Sequence, residues 1–191
     1  MFDFFKRKKT FKDVSVLNES VIKEQIEKSV EQYKQMCGSK LEDIWKFEDE
    51  TDLVIALDNY IAGKCSYGSK TELLSSPERI FFICQTLERE INNGGFSQFY
   101  FNSSGNFAAE TPDALSEIGA NRTSEIVRQA NSLFVKGLNK DRLQREKMLN
   151  EFLTEETEKK LNSLDNDFYK YEDNLLKLNY DYVMKNKENF S

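Results

Sequence analysis

The sequence predicts an all-α fold: a single-domain multi-helix bundle that closes with a long C-terminal helix. Three observations predict it. Apolar residues recur at spacings of three and four along nearly every segment. Strand-like alternation is limited to Val14-Ser-Val-Leu17 and Phe99-Tyr-Phe101, both too short to sustain a sheet. The connections are short, which favours helices packed against sequential neighbours.

Residues 1–17 form a basic tail, with Lys6, Arg7, Lys8, Lys9 and Lys12 against Asp3 alone in its first twelve residues. Its apolar part is too short for a signal peptide and precedes the charges instead of following them. Such a tail supports at most a weak contact with a membrane surface or an anionic partner, not stable anchoring. Residues 18–191 read as one α-helical domain.

Ile22, Ile26, Val30 and Tyr33 make the first apolar stripe, closed by Gly38. Leu53, Leu57 and Ile61 make the second. Ser76-Pro77-Glu78 has the cap-then-proline order of a helix start, and Ile80, Cys84, Leu87 and Ile91 follow at helical spacing to Asn93-Gly94-Gly95. Thr111-Pro112-Asp113 repeats the device ahead of Leu115 and Ile118, with Gly119 as the stop. Ile126, Ala130, Leu133 and Phe134 mark the next helix, ending near Gly137. Asp141 and Thr154 are caps for helices carrying Leu143 with Phe152, and Leu161 with Leu164. Asp165 is placed at the start of the last helix, through Phe168, Tyr171, Leu175, Leu178 and Tyr182.

Composition narrows the chemistry. The 191 residues include 15 Phe and 8 Tyr, enough large apolar surface for a core without a metal or disulfide staple. Cys37, Cys65 and Cys84 are odd in number and show no CxxC spacing, which fits free thiols in a reducing, cytoplasmic setting. The sequence contains no histidine, so His-dependent triads and most zinc and haem sites are excluded. No metal or other cofactor is expected. The net charge of −6 combines +4 in residues 1–12 with −10 in the remainder. An acidic body disfavours nucleic acid as a direct ligand and suits a basic protein partner.

The most specific run is Asn92-Asn-Gly-Gly-Phe-Ser-Gln-Phe-Tyr-Phe-Asn-Ser-Ser-Gly105, followed by Ala114-Leu-Ser-Glu-Ile-Gly-Ala120. Over about 76–134 the chain resembles a bacterial DNA-mimic protein family, a domain of unknown function whose best-known member is acidic and binds a transcriptional regulator. The resemblance implies an α-helical fold and a non-enzymatic module whose acidic surface competes with nucleic acid for a basic partner such as a DNA-binding regulator. It assigns no acidic position residue by residue. The 27 basic residues against 33 acidic ones also dilute the charge of an extreme mimic.

The motif residues Asn92, Asn93, Gly94, Gly95, Phe96, Gln98, Asn102 and Ser103 read as a structural corner. One of the glycines takes a positive φ, Phe96, Phe99 and Tyr100 turn inward, and the amides of Asn92, Gln98 and Asn102 satisfy backbone groups opened by the break. Partner binding is assigned instead to the acidic surface of Glu42, Asp43, Glu48, Asp49, Glu50 and Asp52. Residues 41–59 hold seven acids against Lys46 alone, around Trp45 and Phe47. A second acidic face is expected from Glu151, Glu155 and Glu158 if one helix runs through Thr154. Two rivals accompany this reading. One is a toxin-neutralising, immunity-type protein. The other is a small-molecule or enzymatic site around Glu88, Glu90, Asn92 and Gln98. Glu88 and Glu90 lie about 200° apart on a helix, too far to act as an acid/base pair. Self-association into a homodimer is left open.

Overall fold

Ser75 opens the helix around which the bundle is assembled. In the computed structural model its hydroxyl accepts from the Glu78 N–H while the Glu78 carboxylate accepts from the Ser75 N–H, a reciprocal capping box. The cap thus lies one residue before the Ser76-Pro77 pair, and proline occupies the first turn, where its missing N–H costs nothing. The structure describes residues 38–134 and 137–191, together with 23, 24, 26–28, 30 and 31. The chain divides into two units, Met1–Gln35 and Met36–Ser191. The basic tail, Cys37, Ile22, Tyr33 and the Val14–Leu17 run lie outside the described residues. The seven described residues of the first unit are helical.

The second unit is all-helical and contains no strand among its described residues. Its helices are α1 (Leu41–Ile44), α2 (Glu50–Lys64), α3 (Ser76–Phe101), α4 (Thr111–Glu117), α5 (Asn121–Ser132), α6 (Arg142–Phe152), α7 (Glu155–Phe168) and α8 (Leu175–Lys185). Short 3-10 turns at Thr71–Leu73, Ser103–Phe107 and Lys187–Asn189 join or end them. Helix α3 is the hub, packed against α2, α4, α6, α7 and α8. Phe81, Leu87, Ile91, Phe96, Phe99 and Tyr100 along it are fully buried. No helix of the described residues is long and apolar enough to cross a membrane.

Most of the periodic stripes point inward as their spacing predicts. Leu53, Leu57, Ile61, Cys84, Leu115, Ile118, Ile126, Ala130, Leu161 and Leu164 are all buried. Asp141 and Thr154 cap α6 and α7, accepting from the N–H groups of Gln144 and Thr157. Three further positions differ from expectation. Thr111 lies inside α4, with its hydroxyl bonded to the Phe107 carbonyl instead of capping the helix. Leu143 is exposed, because Arg145 and Leu149, one turn apart, set the inward face of α6. Asp165 does not start the last helix. It lies in the last turn of α7, and the chain turns through Tyr171 at φ +48° before Asn174 caps α8. Helix α8 closes the bundle at the C-terminal end.

Among the described residues Arg145 is the largest fully buried side chain, and no described carboxylate forms an ion pair with it. Its guanidinium lies across the C-terminal end of α3. Nε donates to the Tyr100 carbonyl at 2.7 Å and Nη2 to the Asn102 carbonyl at 2.7 Å. Nη1 donates to Asn106 Oδ1 at 2.9 Å and to the Asn139 carbonyl at 2.6 Å. The Tyr100 and Asn102 carbonyls are among those the end of α3 leaves open, at the negative end of its dipole. Burial lowers the Arg145 pKa from the usual guanidinium value, and the neighbouring Arg142 adds to the effect. Gly105 makes room for this contact: a Cβ there would lie 2.6 Å from both Arg145 Nε and the Tyr100 carbonyl.

Arg145→Met should therefore cost on the order of 3 kcal/mol, since several buried acceptors lose their donors together. Arg145→Lys should recover only part of that, because an ammonium cannot fan out to acceptors as the planar fork does. Urea unfolding midpoints report both variants. A loss below about 0.5 kcal/mol for Arg145→Met, the range of ordinary surface substitutions, would show that the guanidinium is dispensable.

Candidate functional site

The sequence places its densest motif at a break inside α3, and the structure shows how the break is held. Gly94 has φ −160° and ψ 20°, and Gly95 has φ 72° and ψ −174°. The Gly95 conformation is the left-handed one that side chains resist. It turns the Phe96 N–H out of the helical ladder and onto Asp165 Oδ1 of α7, at 2.7 Å. A Cβ on Gly95 would lie 2.3 Å from Asp165 Oδ2, so glycine is required by space as well as by backbone angle. Phe96, Phe99 and Tyr100 then drop into the core, stacked and tilted against one another, with Phe134 edge-on to Tyr100.

The amides do not satisfy the broken backbone. Gln98 Nε2 and Asn102 Nδ2 both donate to Glu90 Oε2, at 2.8 and 2.9 Å. Asn92 Nδ2 donates to the Tyr171 hydroxyl at 2.6 Å, and that hydroxyl donates to Glu88 Oε1 at 3.1 Å. Glu88 and Glu90 therefore serve separate networks, as their angular separation on the helix requires. Burial raises the Glu88 pKa and, with the nearby Glu88 charge, pushes Tyr171 up to about 12. Asn93 and Ser103 are exposed, whereas Ser104 is buried and donates to the Phe99 carbonyl. The residues Glu88, Glu90, Asn92 and Gln98 do not converge on one point.

One face of the motif borders a cleft of about 200 Å³, lined by Tyr67, Phe82, Phe107, Thr86, Arg89 and Glu90 among others. Arg89 is pinned there by ion pairing to Asp58 and by a long contact to the Thr86 hydroxyl at 3.4 Å. No group of His, Cys, Asp or Glu side chains among the described residues is arranged to hold a metal ion. Cys65 and Cys84 are buried and free.

The acidic stretch covers α1, the turn after it and the first turn of α2. Glu42, Asp43, Glu48 and Asp49 are exposed, and Glu50 and Asp52 are half-buried. Several of these carboxylates also serve the fold. Asp49 caps α2, accepting from the N–H groups of Thr51 and Asp52, and those bonds hold its carboxyl below the usual range. Lys46 beside Asp43 does the same for that carboxyl. Glu50 meets Lys177 of α8 at 2.8 Å. Trp45 and Phe47 pack against the core, Trp45 edge-on to Phe190 with the Lys187 ammonium 4.8 Å from its ring centroid. The stretch thus presents carboxylates rather than aromatics. The second acidic face does not form as expected, because Thr154 caps a new helix and separates Glu151 from Glu155 and Glu158.

Comparison with known proteins gives one relationship. The chain matches the family described as DMP19-like protein over residues 72–186, well over half its length. The match extends beyond the 76–134 segment that carried the resemblance and takes in α6, α7 and all of α8. No curated protein and no solved structure matches.

Two outcomes test the corner. Gly95→Val should destabilise by about 2 kcal/mol or more through backbone strain and the clash with Asp165. Asp165→Ala should cost ~1–3 kcal/mol by leaving the buried Phe96 N–H without a partner, and Asp165→Asn should cost less because its amide oxygen still accepts. Wild-type melting of all three would show that the break needs neither glycine nor carboxylate.

The pH profile has a definite sign. Burial raises the carboxyl pKa of Asp58, Glu88 and Asp165 in the folded state. Each then holds its proton where the unfolded chain has lost it, so its contribution is largest at low pH and is lost as pH rises through the folded value. Asp43 and Asp49 are lowered, and their contribution is lost only below the ordinary carboxylate value. Acidification from about pH 7 to about pH 4.5 should leave Tm level or raise it, and Asp165→Asn should weaken any rise. A steady fall of Tm from neutrality would contradict this assignment.

Proposed function

Since the chain belongs to the DMP19-like protein family, a bacterial DNA-mimic family, we propose that it is a non-enzymatic protein-binding module that occupies the nucleic-acid site of a basic partner. The partner class is a DNA-binding regulator, met in the cytoplasm. The free, buried thiols of Cys65 and Cys84 support a reducing compartment.

The observation that carries the reading is the run of exposed carboxylates at Glu42, Asp43, Glu48 and Asp49 on a chain of this family. Glu50 and Asp52 lie at its half-buried edge. Asp43 and Asp49 are held below the usual carboxylate range, so their charge persists through mildly acid conditions. Carboxylates in a row imitate the spaced negative charge that a DNA-binding surface is built to meet, and they steer encounter over a Debye length. Asp49 has a double duty, since it fixes the helix that displays its neighbours. Helix α3 contributes indirectly, as the framework against which α2 packs.

The test pairs capture with a salt series. The wild-type protein should retain a basic DNA-binding protein from source-cell lysate at low salt and release it to added duplex DNA or high salt. The variant Glu42→Gln, Asp43→Asn, Glu48→Gln, Asp49→Asn keeps an amide cap at position 49 and should fold normally. Its association with the purified partner should slow about tenfold or more, with a flatter salt dependence. Equal rates and equal salt slopes for the two proteins would remove this surface from the interface. A captured partner that DNA does not displace would remove the mimicry.

A further inference from the structure

The cleft beside the motif carries charge and shape that the acidic surface does not use. Its polar lining holds the Arg89 guanidinium and the Glu90 carboxylate, and Asp58, outside the lining, ion-pairs with Arg89. Arg89 is consumed by Asp58 and Thr86, and Asp58 keeps a second buried oxygen, Oδ1, with no hydrogen-bond partner among the described residues. Glu90 is oriented by two neutral amides, Gln98 and Asn102, both on Oε2. Those amides fix the carboxylate without cancelling its charge, and they leave Oε1 for another donor. With Arg89 paired to Asp58, the Glu90 carboxylate is the unbalanced charge of the cleft.

The walls are aromatic. Phe82 and Phe107 meet edge to face at 5.7 Å, and Tyr67 stands at the lip, 81% exposed. Tyr67 is held there at a cost. Ser66 and Tyr67 are consecutive non-glycine residues in the left-handed region, at φ 49° and 54°. Backbone strain of this kind persists only where the surroundings enforce it, and it gathers at binding sites. Here the Tyr67 N–H is tied to the Ala62 carbonyl at 2.7 Å and the Lys70 N–H to the Cys65 carbonyl at 2.9 Å. Phe107 already carries a cation: the Arg79 guanidinium lies 5.6 Å from its ring centroid, with its charge met by Glu110.

We propose that this cleft binds an organic cation, an alkylguanidinium or alkylammonium head, with Glu90 as its anionic anchor and Tyr67 closing over it. A cation between a carboxylate and aromatic faces gains both a charge-assisted hydrogen bond and ring attraction. An anion would face Glu90 with only an already paired arginine in its favour. The head can arrive on a free amine or on a basic side chain of another protein. The proposal does not rest on the acidic surface.

Calorimetric or NMR titration of the intact chain tests it with agmatine, with n-butylammonium, with a capped tripeptide centred on arginine and with inorganic phosphate. At least one cationic probe should saturate, and phosphate should not. Glu90→Gln and Tyr67→Ala should each weaken that probe about tenfold, while the four-carboxylate variant of the acidic stretch should bind it as the wild type does. Tighter binding of the peptide would identify a protein side chain as the source, and tighter binding of the free amine a small molecule. Tyr67 is surface-exposed, so its variant keeps the test valid if Glu90→Gln fails to fold. Absence of saturation by every cationic probe, saturation by phosphate, or unchanged affinity in Tyr67→Ala would overturn the proposal.

Discussion

The hydrogen bond from the Phe96 N–H to Asp165 joins the two halves of the central helix to the helix that packs across them. A break in a buried helix exposes donors that neither water nor the helix itself can satisfy. The break here is useful only because α7 delivers a carboxylate to that spot. With it, Phe96, Phe99 and Tyr100 enter the core at an angle that an unbroken helix could not give them. Arg145 performs the matching task at the far end, collecting the carbonyls that α3 leaves behind. The aromatic centre is therefore fixed by two charged side chains, one offering oxygen and one offering nitrogen, each from a different later helix.

Much of the fold was legible from spacing alone. The apolar stripes of α2, α3, α4, α5 and α7 are inward, and the caps at Asp141 and Thr154 are in place. Local signals suffice there, because an apolar stripe and a capping oxygen act within a turn or two of where they are written. The failures share the opposite property. Asp165 reads locally as a helix start, and nothing local singles out Arg145. Their partners lie 69 and 45 residues away, and no local pattern records such a pairing. One signal was present for Arg145. Leu143 and Arg145 compete for the inner face of α6, and the run Gly105-Asn106 with no side chain at position 105 leaves space for a large group.

The candidate site divides in the same way. The glycine corner was readable as a corner, because paired glycines between aromatic and amide residues have few other uses. Its wiring was not readable: Gln98 and Asn102 serve Glu90, and Asn92 serves Tyr171. The acidic stretch was readable as charge but not as architecture. Asp49 is at once a surface carboxylate and the cap of α2, and Trp45 and Phe47 belong to the core. The cleft left no sequence signal, since Tyr67, Phe82 and Glu90 come together only when α3 and the turn after α2 are packed.

The close approach of Asp165 to the backbone at position 95 has an evolutionary consequence. The two positions occupy one volume, so neither can change size or charge without reference to the other. A lineage that acquired a side chain at 95 would first have to shorten 165, and the Phe96 amide would then need a new acceptor. Either change alone leaves a clash at position 95 or a buried amide without its acceptor. The glycine and the aspartate are thus one structural unit, although the chain spells them in different helices.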